Sequence, residues 1–423
     1  MLKYPQQPAF NPTLQYYIMR ILHTSDWHLG NRLLEKTRTE EFSDFTNWIL
    51  QQLEEQQIDA LLISGDLFDN ATPGDSTLQV YHDFLSKADQ MGCRYIIMTG
   101  GNHEGVSALE ASAPLLKRHN AYIISSLKPD NIERCFIELH NQDGTPAALV
   151  CAVPYLRQRE VSLSSTADEI QHAYTRGIAA VYAAVAAKAE EWKLAHPGLP
   201  VICMGHLTVG GAEVTASTQK IIGTIEEVSR NIFPAVFDYV ALGHIHKGYT
   251  MDNNRLCYCG SPLPMGIDET EDRHVLITEF KDGALSVTKQ AVPLFTLPVK
   301  CECNSLDELK ALPAALQQQA QEQGSKRICL QLVYGGTDAT CDEVKTTAAQ
   351  LLKDVYHYKL NFKRSDMRLT SGKDYDIDTA DACDVEHVFS MMYKRHYNEA
   401  ADTPEHYEQM LQLLRNIKTA LNI

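Results

Sequence analysis

Five apolar runs in this chain each stop at side chains able to bind a metal ion. Residues 19–24 (MRILHT) lead into Ser25-Asp26-Trp27-His28, and 60–64 (ALLIS) into Gly65-Asp66-Leu67-Phe68-Asp69. Residues 95–99 (YIIMT) lead, through Gly100, into Gly101-Asn102-His103-Glu104. Residues 201–204 (VICM) lead into Gly205-His206, and 239–242 (YVAL) into Gly243-His244-Ile245-His246. Short, continuous apolar runs of this kind read as strands buried on both faces. In α/β sheets, sites form beyond the carboxyl ends of such strands. Glycine, which precedes four of the five ligand-bearing segments, lets the backbone turn and approach a ligand closely. One histidine beside a turn means little, and His244 and His246 by themselves are only two side chains sharing one strand face. Five such strand ends in one chain are a pattern, and the pattern points to a metal centre.

The intervening sequence reads as helices. Phe42, Phe45, Trp48, Ile49 and Leu53 follow a 3.6-residue period, as do residues in 78–91. An Ala-rich stretch, 167–195, carries Ile170, Tyr174, Ile178, Val181 and Val185 on one stripe and ends at His196-Pro197-Gly198. Residues 256–258 and 275–280 read as hairpin strands. The expectation is an α/β layered domain over residues 19–295.

A second, smaller α/β unit is expected over 296–370, from a short helix at 305–312, a strand at 328–334, a helix at 341–353 and alternation at 356–362. Residues 371–384 are acidic and poor in large apolar groups, and read as a linker. Residues 385–423 read as a helical tail with two apolar stripes. Val385, Val388, Phe389 and Met392 form one; Tyr407, Met410, Leu411, Leu414, Ile417 and Leu421 form the other. Thr403-Pro404-Glu405 is a helix start. Residues 1–18 read as an extension ahead of a functional start at Met19.

At 423 residues the chain has room for several domains, and its formal net charge is −16. A protein that gripped nucleic acid by its own phosphate contacts would be basic. A polyanionic substrate therefore requires bound metal ions and a partner to supply positive charge. The eleven cysteines include no C-x-x-C pair. Cys257/Cys259 and Cys301/Cys303 sit in strand-like sequence and read as apolar fillers. Without a secretory h-region or an apolar run of spanning length, the expected location is the cytoplasm, with reduced thiols and no membrane contact.

The order D-x-H, G-D-x-x-D, G-N-H-E, G-H, G-H-x-H resembles that of the calcineurin-like metallophosphoesterases. The flanking stretches ILHTSDWHLG, ISGDLFD, VPYLRQRE, IIGTIEEV, FDYVALGHIHKG and YCGSPLPMGIDE are similar to the bacterial SbcD-type nuclease subunits. The resemblance implies a layered metallophosphoesterase β-sandwich flanked by helices, with a small α/β cap domain and a C-terminal helical tail that binds a partner.

It also implies two divalent metal ions, with Mn²⁺ expected. Carboxylate, imidazole and amide oxygen donors suit Mn²⁺, Fe²⁺ or Zn²⁺. By resemblance, Asp26, His28 and His246 hold one ion, Asn102, His206 and His244 hold the other, and Asp66 bridges them. His103 is then the general acid that protonates the leaving sugar oxygen, or otherwise stabilises the scissile phosphate, and Asp69 and Glu104 are candidates to orient ligating imidazoles. The implied activity is 3′–5′ double-strand exonuclease and single-strand or hairpin endonuclease cleavage of DNA. The implied partner is an SbcC-type coiled-coil ATPase, in a heterotetramer built on a homodimer. Helix 37–53 and loop 67–78 are the expected dimer face. The competing enzyme reading is a stand-alone phosphodiesterase of a small nucleotide, which the acidic charge favours. A silent scaffold is disfavoured, because every ligand position is filled.

Overall fold

The computed structural model describes residues 19–91, 93–110, 116, 121–128, 131–161, 167–210, 227–269, 271–281, 283–363 and 404–421. The expected extension at 1–18, the linker at 371–384 and the first tail stripe at 385–392 lie outside them.

The sandwich strands are β1 (Met19–Thr24), β2 (Ala60–Ser64), β3 (Tyr95–Thr99), β4 (Ala121–Ile124), β5 (Phe136–His140), β6 (Pro146–Ala152), β7 (Val201–His206), β8 (Tyr239–Gly243), β9 (Tyr249–Met251), β10 (Leu256–Tyr258), β11 (His274–Lys281) and β12 (Ala284–Ala291). They form two six-stranded sheets, ordered β12-β11-β1-β2-β3-β4 and β9-β10-β8-β7-β6-β5. In the first sheet β1 to β4 run parallel, and β1 pairs antiparallel with β11. In the second, β6, β7, β8 and β10 run parallel. All five runs that carry the sequence pattern are among the parallel strands.

Alternation along the strands sets the layers. Ile21, Ala60, Leu62 and Ile97 join one core with the second sheet and with Ile178, Val181, Tyr182 and Val185 of helix Ala167–Ala195. Leu22, Leu61, Ile63, Ile96 and Met98 point the other way. They pack against Phe42, Phe45 and Ile49 of helix Thr39–Glu55, and Val80, Tyr81 and Phe84 of helix Asp75–Gln90. The result is a helix–sheet–sheet–helix sandwich. Each parallel strand is apolar on both faces because each face meets a different layer.

Polar contacts cross between the sheets. Ser64 Oγ donates to the Ala241 carbonyl at 3.0 Å, and His23 Nδ1 lies 2.8 Å from the Tyr239 hydroxyl. A Cβ at Gly243 would sit 1.9 Å from the Ser64 carbonyl oxygen, so glycine there permits the sheets to touch at their carboxyl ends.

A third sheet, wholly parallel, comprises β13 (Thr296–Cys303), β14 (Arg327–Tyr334) and β15 (His357–Phe362). Helices Leu306–Glu322 and Cys341–Leu351 follow β13 and β14 in sequence. The first of these runs well past the expected end at residue 312 and contains Pro313. Leu309, Leu316 and Ala320 are buried along it, and that packing carries the helix through the proline. This sheet docks on residues 34–44 of the sandwich. Arg327 Nη2 meets Asp44 at 2.7 Å, His357 Nε2 the Leu34 carbonyl at 3.0 Å and Lys359 Nζ Glu35 at 2.8 Å.

Helix Pro404–Leu421 belongs to a separate compact unit. Leu411 is buried, while Met410 is 38% and Leu413 53% exposed. Among the described residues no helix is long and apolar enough to cross a membrane. The expected dimer loop at 67–78 is partly helical, since helix Asp75–Gln90 begins inside it.

Candidate metal centre

The five strand ends open onto one place. The segment after β1 runs beside the segment after β2: Asp26 N donates to the Gly65 carbonyl at 3.0 Å, and His28 N to the Asp66 carbonyl at 3.0 Å. Asp26, His28, Asp66 and His244 all have positive φ, at 53°, 46°, 47° and 93°. A non-glycine residue pays about 1–2 kcal/mol for a left-handed conformation. Four such residues side by side at potential ligands indicate strain kept for function. A Cβ on Gly101 would fall 2.1 Å from Asp66 Oδ1, so that position too is closed to side chains.

All eight sequence-predicted site residues lie here; the seven predicted ligands fall into two groups, and a third set of donors, on His28, Asp69 and His103, also lies within 4.8 Å. In the first, donor atoms of Asp26, His28 and His246 lie within 4.8 Å of one another. His28 Nε2 and His246 Nε2 are 3.2 Å apart. In the second, donor atoms of Asp66, His206 and His244 meet the same limit. Asn102 Oδ1 is 3.1 Å from His206 Nε2 and 3.0 Å from His244 Nδ1. Asp66 Oδ2 faces both groups, 3.3 Å from His206 Nε2 and 3.7 Å from His28 Nε2. The carboxylates and the four imidazoles of these groups are buried.

Neighbouring groups fix several orientations. His206 Nδ1 is 2.9 Å from the Ser64 carbonyl, so in the neutral ring Nδ1 carries the proton and Nε2 is the nitrogen left to bind a metal ion. His244 N donates to Asp26 Oδ1 at 2.9 Å, and Ser25 Oγ donates to Asp26 Oδ2. Asp69 Oδ1 is 3.4 Å from His28 Nδ1 and accepts from Asn31 Nδ2 at 3.2 Å. Asn31 Oδ1 in turn accepts from buried Arg38 at 2.9 Å. Glu104 accepts from Gly101 N at 2.8 Å and Phe68 N at 3.2 Å. Its carboxylate therefore closes backbone, and among the described residues it has no hydrogen bond to an imidazole.

The electrostatics are those of charge crowded out of water. Burial would raise Asp66, but the imidazoles of His206 and His28 outweigh it and hold the carboxyl well below its usual range. Burial likewise opposes protonation of His206, yet Asp66 overrides it and lifts that imidazole to about 9. His244, desolvated and beside His206, is pushed down to about 3. His246, desolvated and beside His28, is also well below its usual value. Burial, with Asp66 nearby, lifts Glu104 to about 7.

These residues fit divalent metal ions. Two imidazole nitrogens face each other at 3.2 Å, and His28 Nδ1 and His246 Nδ1 are buried without a hydrogen-bond partner. Nitrogen lone pairs converging beside buried carboxylates need a cation between them. No cysteine belongs to either group; Cys257, Cys259 and Cys303 are buried and Cys301 half-buried.

His103 is half-buried at the edge of this cluster. Its backbone N–H donates to Asp66 Oδ1 at 3.1 Å, and its Nδ1 lies 2.8 Å from the Asp69 carbonyl. Sequence reasoning missed Asn31 and Arg38, which have no local signature. The stretch VPYLRQRE, residues 153–160, carried a resemblance but no role. It brings Tyr155, whose ring lies 6.1 Å from His206 and 6.2 Å from His244, and Arg157 beside it.

A model of the calcineurin-like phosphoesterase family matches residues 19–248. The SbcD component of the nuclease SbcCD from Escherichia coli (strain K12) is 34% identical over 285 residues, which are 65% of this chain and 69% of that one. The Rhodobacter capsulatus protein of the same name is 32% identical over 296 residues, 67% of this chain and 72% of that one. A solved dimetal phosphatase from Danio rerio aligns with TM-score 0.39 and 11% identity over 65% of this chain and 97% of its own, too slight a likeness to argue from. The family match spans more than half of the chain, and the curated relatives are matched over more than two thirds of their length. The chain belongs to the calcineurin-like phosphoesterase family and, within it, to the metal-dependent phosphodiesterases of the SbcD type.

Proposed function

We propose that this chain is the nuclease subunit of an SbcCD-like complex. It cleaves DNA phosphodiester bonds as a 3′–5′ double-strand exonuclease and a single-strand or hairpin endonuclease, in DNA end processing, repair and recombination. The observation that carries this reading is the buried pair of ligand groups sharing Asp66, in a chain 34% identical to the SbcD component of an SbcCD nuclease.

Asp26, His28 and His246 would hold one ion, and Asn102, His206 and His244 the other. Asp66, whose Oδ2 faces both groups, would bridge them. Mn²⁺ is the proposed metal. Two divalent ions, when bound, supply Lewis acidity at the phosphodiester and lower the pKa of an attacking water. The chain supplies the rest. The buried cluster excludes bulk water, and the Ser64 carbonyl keeps His206 in one tautomer. His103, half-buried at the edge of the cluster, protonates the leaving sugar oxygen.

Residues 19–295 would form the nuclease domain, 296–370 the cap and 371–384 a linker. Residues 385–423 would dock on an SbcC-type coiled-coil ATPase, within a heterotetramer built on a homodimer. Exposed Met410 and Leu413 on helix Pro404–Leu421 support a tail with apolar surface to offer. The net charge of −16 favours the alternative, a stand-alone phosphodiesterase of small nucleotides.

One assay separates the two. Mn²⁺-dependent release of nucleotides from linear duplex DNA is expected, with slower turnover of cyclic nucleotides. Cyclic nucleotide turnover without DNA cleavage would establish the alternative. Deleting residues 376–423 should leave cleavage of short DNA nearly intact and abolish co-purification with the ATPase. Full-strength binding by the truncated protein would overturn the tail assignment.

A further inference from the structure

We propose that Arg157 is a positioning residue for the leaving-group step, acting by clamping the loop that carries Asn102 and His103. This rests on the reading of His103 as proton donor.

The contacts bracket that loop. Arg157 Nη2 donates to the Gly101 carbonyl at 3.2 Å and to the Glu104 carbonyl at 2.8 Å. Those two carbonyls flank Asn102 and His103, so one guanidinium nitrogen ties both ends of a four-residue turn. The Glu104 carboxylate closes the same turn through Gly101 N at 2.8 Å. Both ends of the loop are thus tied twice, and the two residues between the ties are the ones that face the site.

The clamp itself is anchored. Tyr155 N donates to the Gly100 carbonyl at 2.8 Å. The Leu156 carbonyl accepts from the Tyr174 hydroxyl at 2.6 Å, from helix Ala167–Ala195. Arg157 N donates to Glu160 Oε2 at 3.0 Å. The guanidinium lies 5.9 Å from the centre of the Tyr155 ring, which in turn lies beside His206 and His244. Three consecutive residues are therefore held in place, and the third reaches the loop. Packing alone does not explain an arginine here. Its Nη1 is buried with no partner among the described residues, a cost that an apolar side chain of similar length would avoid.

The consequence concerns one step. When the P–O bond to the leaving sugar oxygen breaks, the electron pair stays on that oxygen and His103 delivers the proton. Nδ1 of His103 is engaged by the Asp69 carbonyl, so Nε2 is the atom that must reach the oxygen. A loop that loses this tie at both ends shifts that nitrogen, and misplacement by about 1 Å is enough to cost two orders of magnitude. A weakly basic leaving group needs no proton and is indifferent to the shift.

The test compares two phosphodiesters on Arg157→Gln and Arg157→Lys in the full chain with Mn²⁺. One is a short oligonucleotide with an alkoxide leaving group, the other bis-p-nitrophenyl phosphate. Arg157→Gln should lower kcat on the oligonucleotide by about 10- to 100-fold with KM within about threefold, and lower kcat on the nitrophenyl diester by less than about threefold. Two Mn²⁺ should remain bound and the melting temperature should be unchanged within a few degrees. Arg157→Lys should recover part of the loss, because an ammonium reaches one of the two carbonyls but lacks the planar fork. An equal loss on both substrates, or a lost ion, would show that Arg157 serves the metal centre or the fold and would overturn the inference. A wild-type protein inactive on any oligonucleotide would instead overturn the nuclease reading, and this inference with it.

Discussion

The two ligand groups each bring two imidazoles to a buried carboxylate but are built differently. Around Asn102, the tautomer of His206 is set by the Ser64 carbonyl at 2.9 Å, and the amide oxygen lies 3.0–3.1 Å from both imidazoles. Around Asp26, the Nδ1 atoms of His28 and His246 are buried without hydrogen-bond partners, and Asp69 stands off from His28 at 3.4 Å. The second sheet delivers His206 on the last residue of β7, whereas Asp26, His28, Asp66 and His244 all sit on left-handed residues beyond their strands. A group with one imidazole held by the strand ladder and a backbone carbonyl is ready for its ion. A group with buried, unpartnered nitrogens gains its order when the ion arrives.

The largest expected effect lies where the groups meet. Asp66→Ala should remove both ions and reduce turnover by more than about 10⁴-fold, since both sites share that carboxylate. His103→Gln should reduce oligonucleotide cleavage by about 10²–10⁴-fold and keep both ions. Metal counts by plasma mass spectrometry decide. Two ions on the Asp66 variant, or fewer than two on the His103 variant, would break the assignment of a bridge and an acid.

Next comes the comparison itself. Calorimetric titration with Mn²⁺ should show two steps separated by about 10- to 100-fold in affinity. His206→Ala should abolish the tighter step, and His246→Ala the weaker. Two equal steps in the wild type would mean that the hydrogen-bonding difference has no energetic weight.

A smaller effect is expected from the frame that holds the groups together. Gly243→Ala would place a Cβ 1.9 Å from the Ser64 carbonyl and prise apart β2 and β8, which feed both groups. A loss of about 1–3 kcal/mol in denaturant unfolding is expected, as for an overpacked core. An unchanged midpoint would show that the sheet ends have slack.

The last effect is absent at neutral pH and grows as the pH falls. His23, on the strand that leads to Asp26 and His28, is buried against Tyr239, and burial pushes its pKa down to about 3 from 6.5. The folded state keeps this ring neutral while the unfolded chain takes up a proton. The stability it contributes is therefore complete above pH 6.5 and is lost as pH falls toward 3, at about 1.4 kcal/mol per pH unit. His23→Gln should flatten the acid limb of the metal-free protein. Identical limbs in the two proteins would show that the ring is not kept neutral.

Much of the fold was legible because the central strands are apolar on both faces and end in polar turns. β6 was not, since Pro146-Ala147-Ala148 opens it with residues of low strand propensity. β12 alternates exposed Lys289 with half-buried positions and becomes a strand by pairing with β11. The run of helix Leu306–Glu322 past Pro313 was hidden because burial of Leu316 and Ala320 outweighs a local break signal. In the site, the residue types were legible at every strand end. Arg157 was not, since nothing in residues 153–160 says which loop lies against them.

Where the chemistry sits can be read from sequence alone. Aspartates, histidines and an asparagine follow apolar runs whose burial on both faces marks them as parallel strands, and sites form beyond the carboxyl ends of such strands. Which histidine faces which partner depends on the folded chain. In an extended strand His244 and His246 would point the same way, and the two-residue period ends at Gly243. His244 then takes φ of 93°, its N–H held by Asp26 from the other sheet, and the two rings part. His244 turns to Asn102 and His246 to His28. A local period sets direction only while the ladder lasts. Beyond it, contacts between residues far apart in the chain set the angle, as the 218 positions between Asp26 and His244 illustrate.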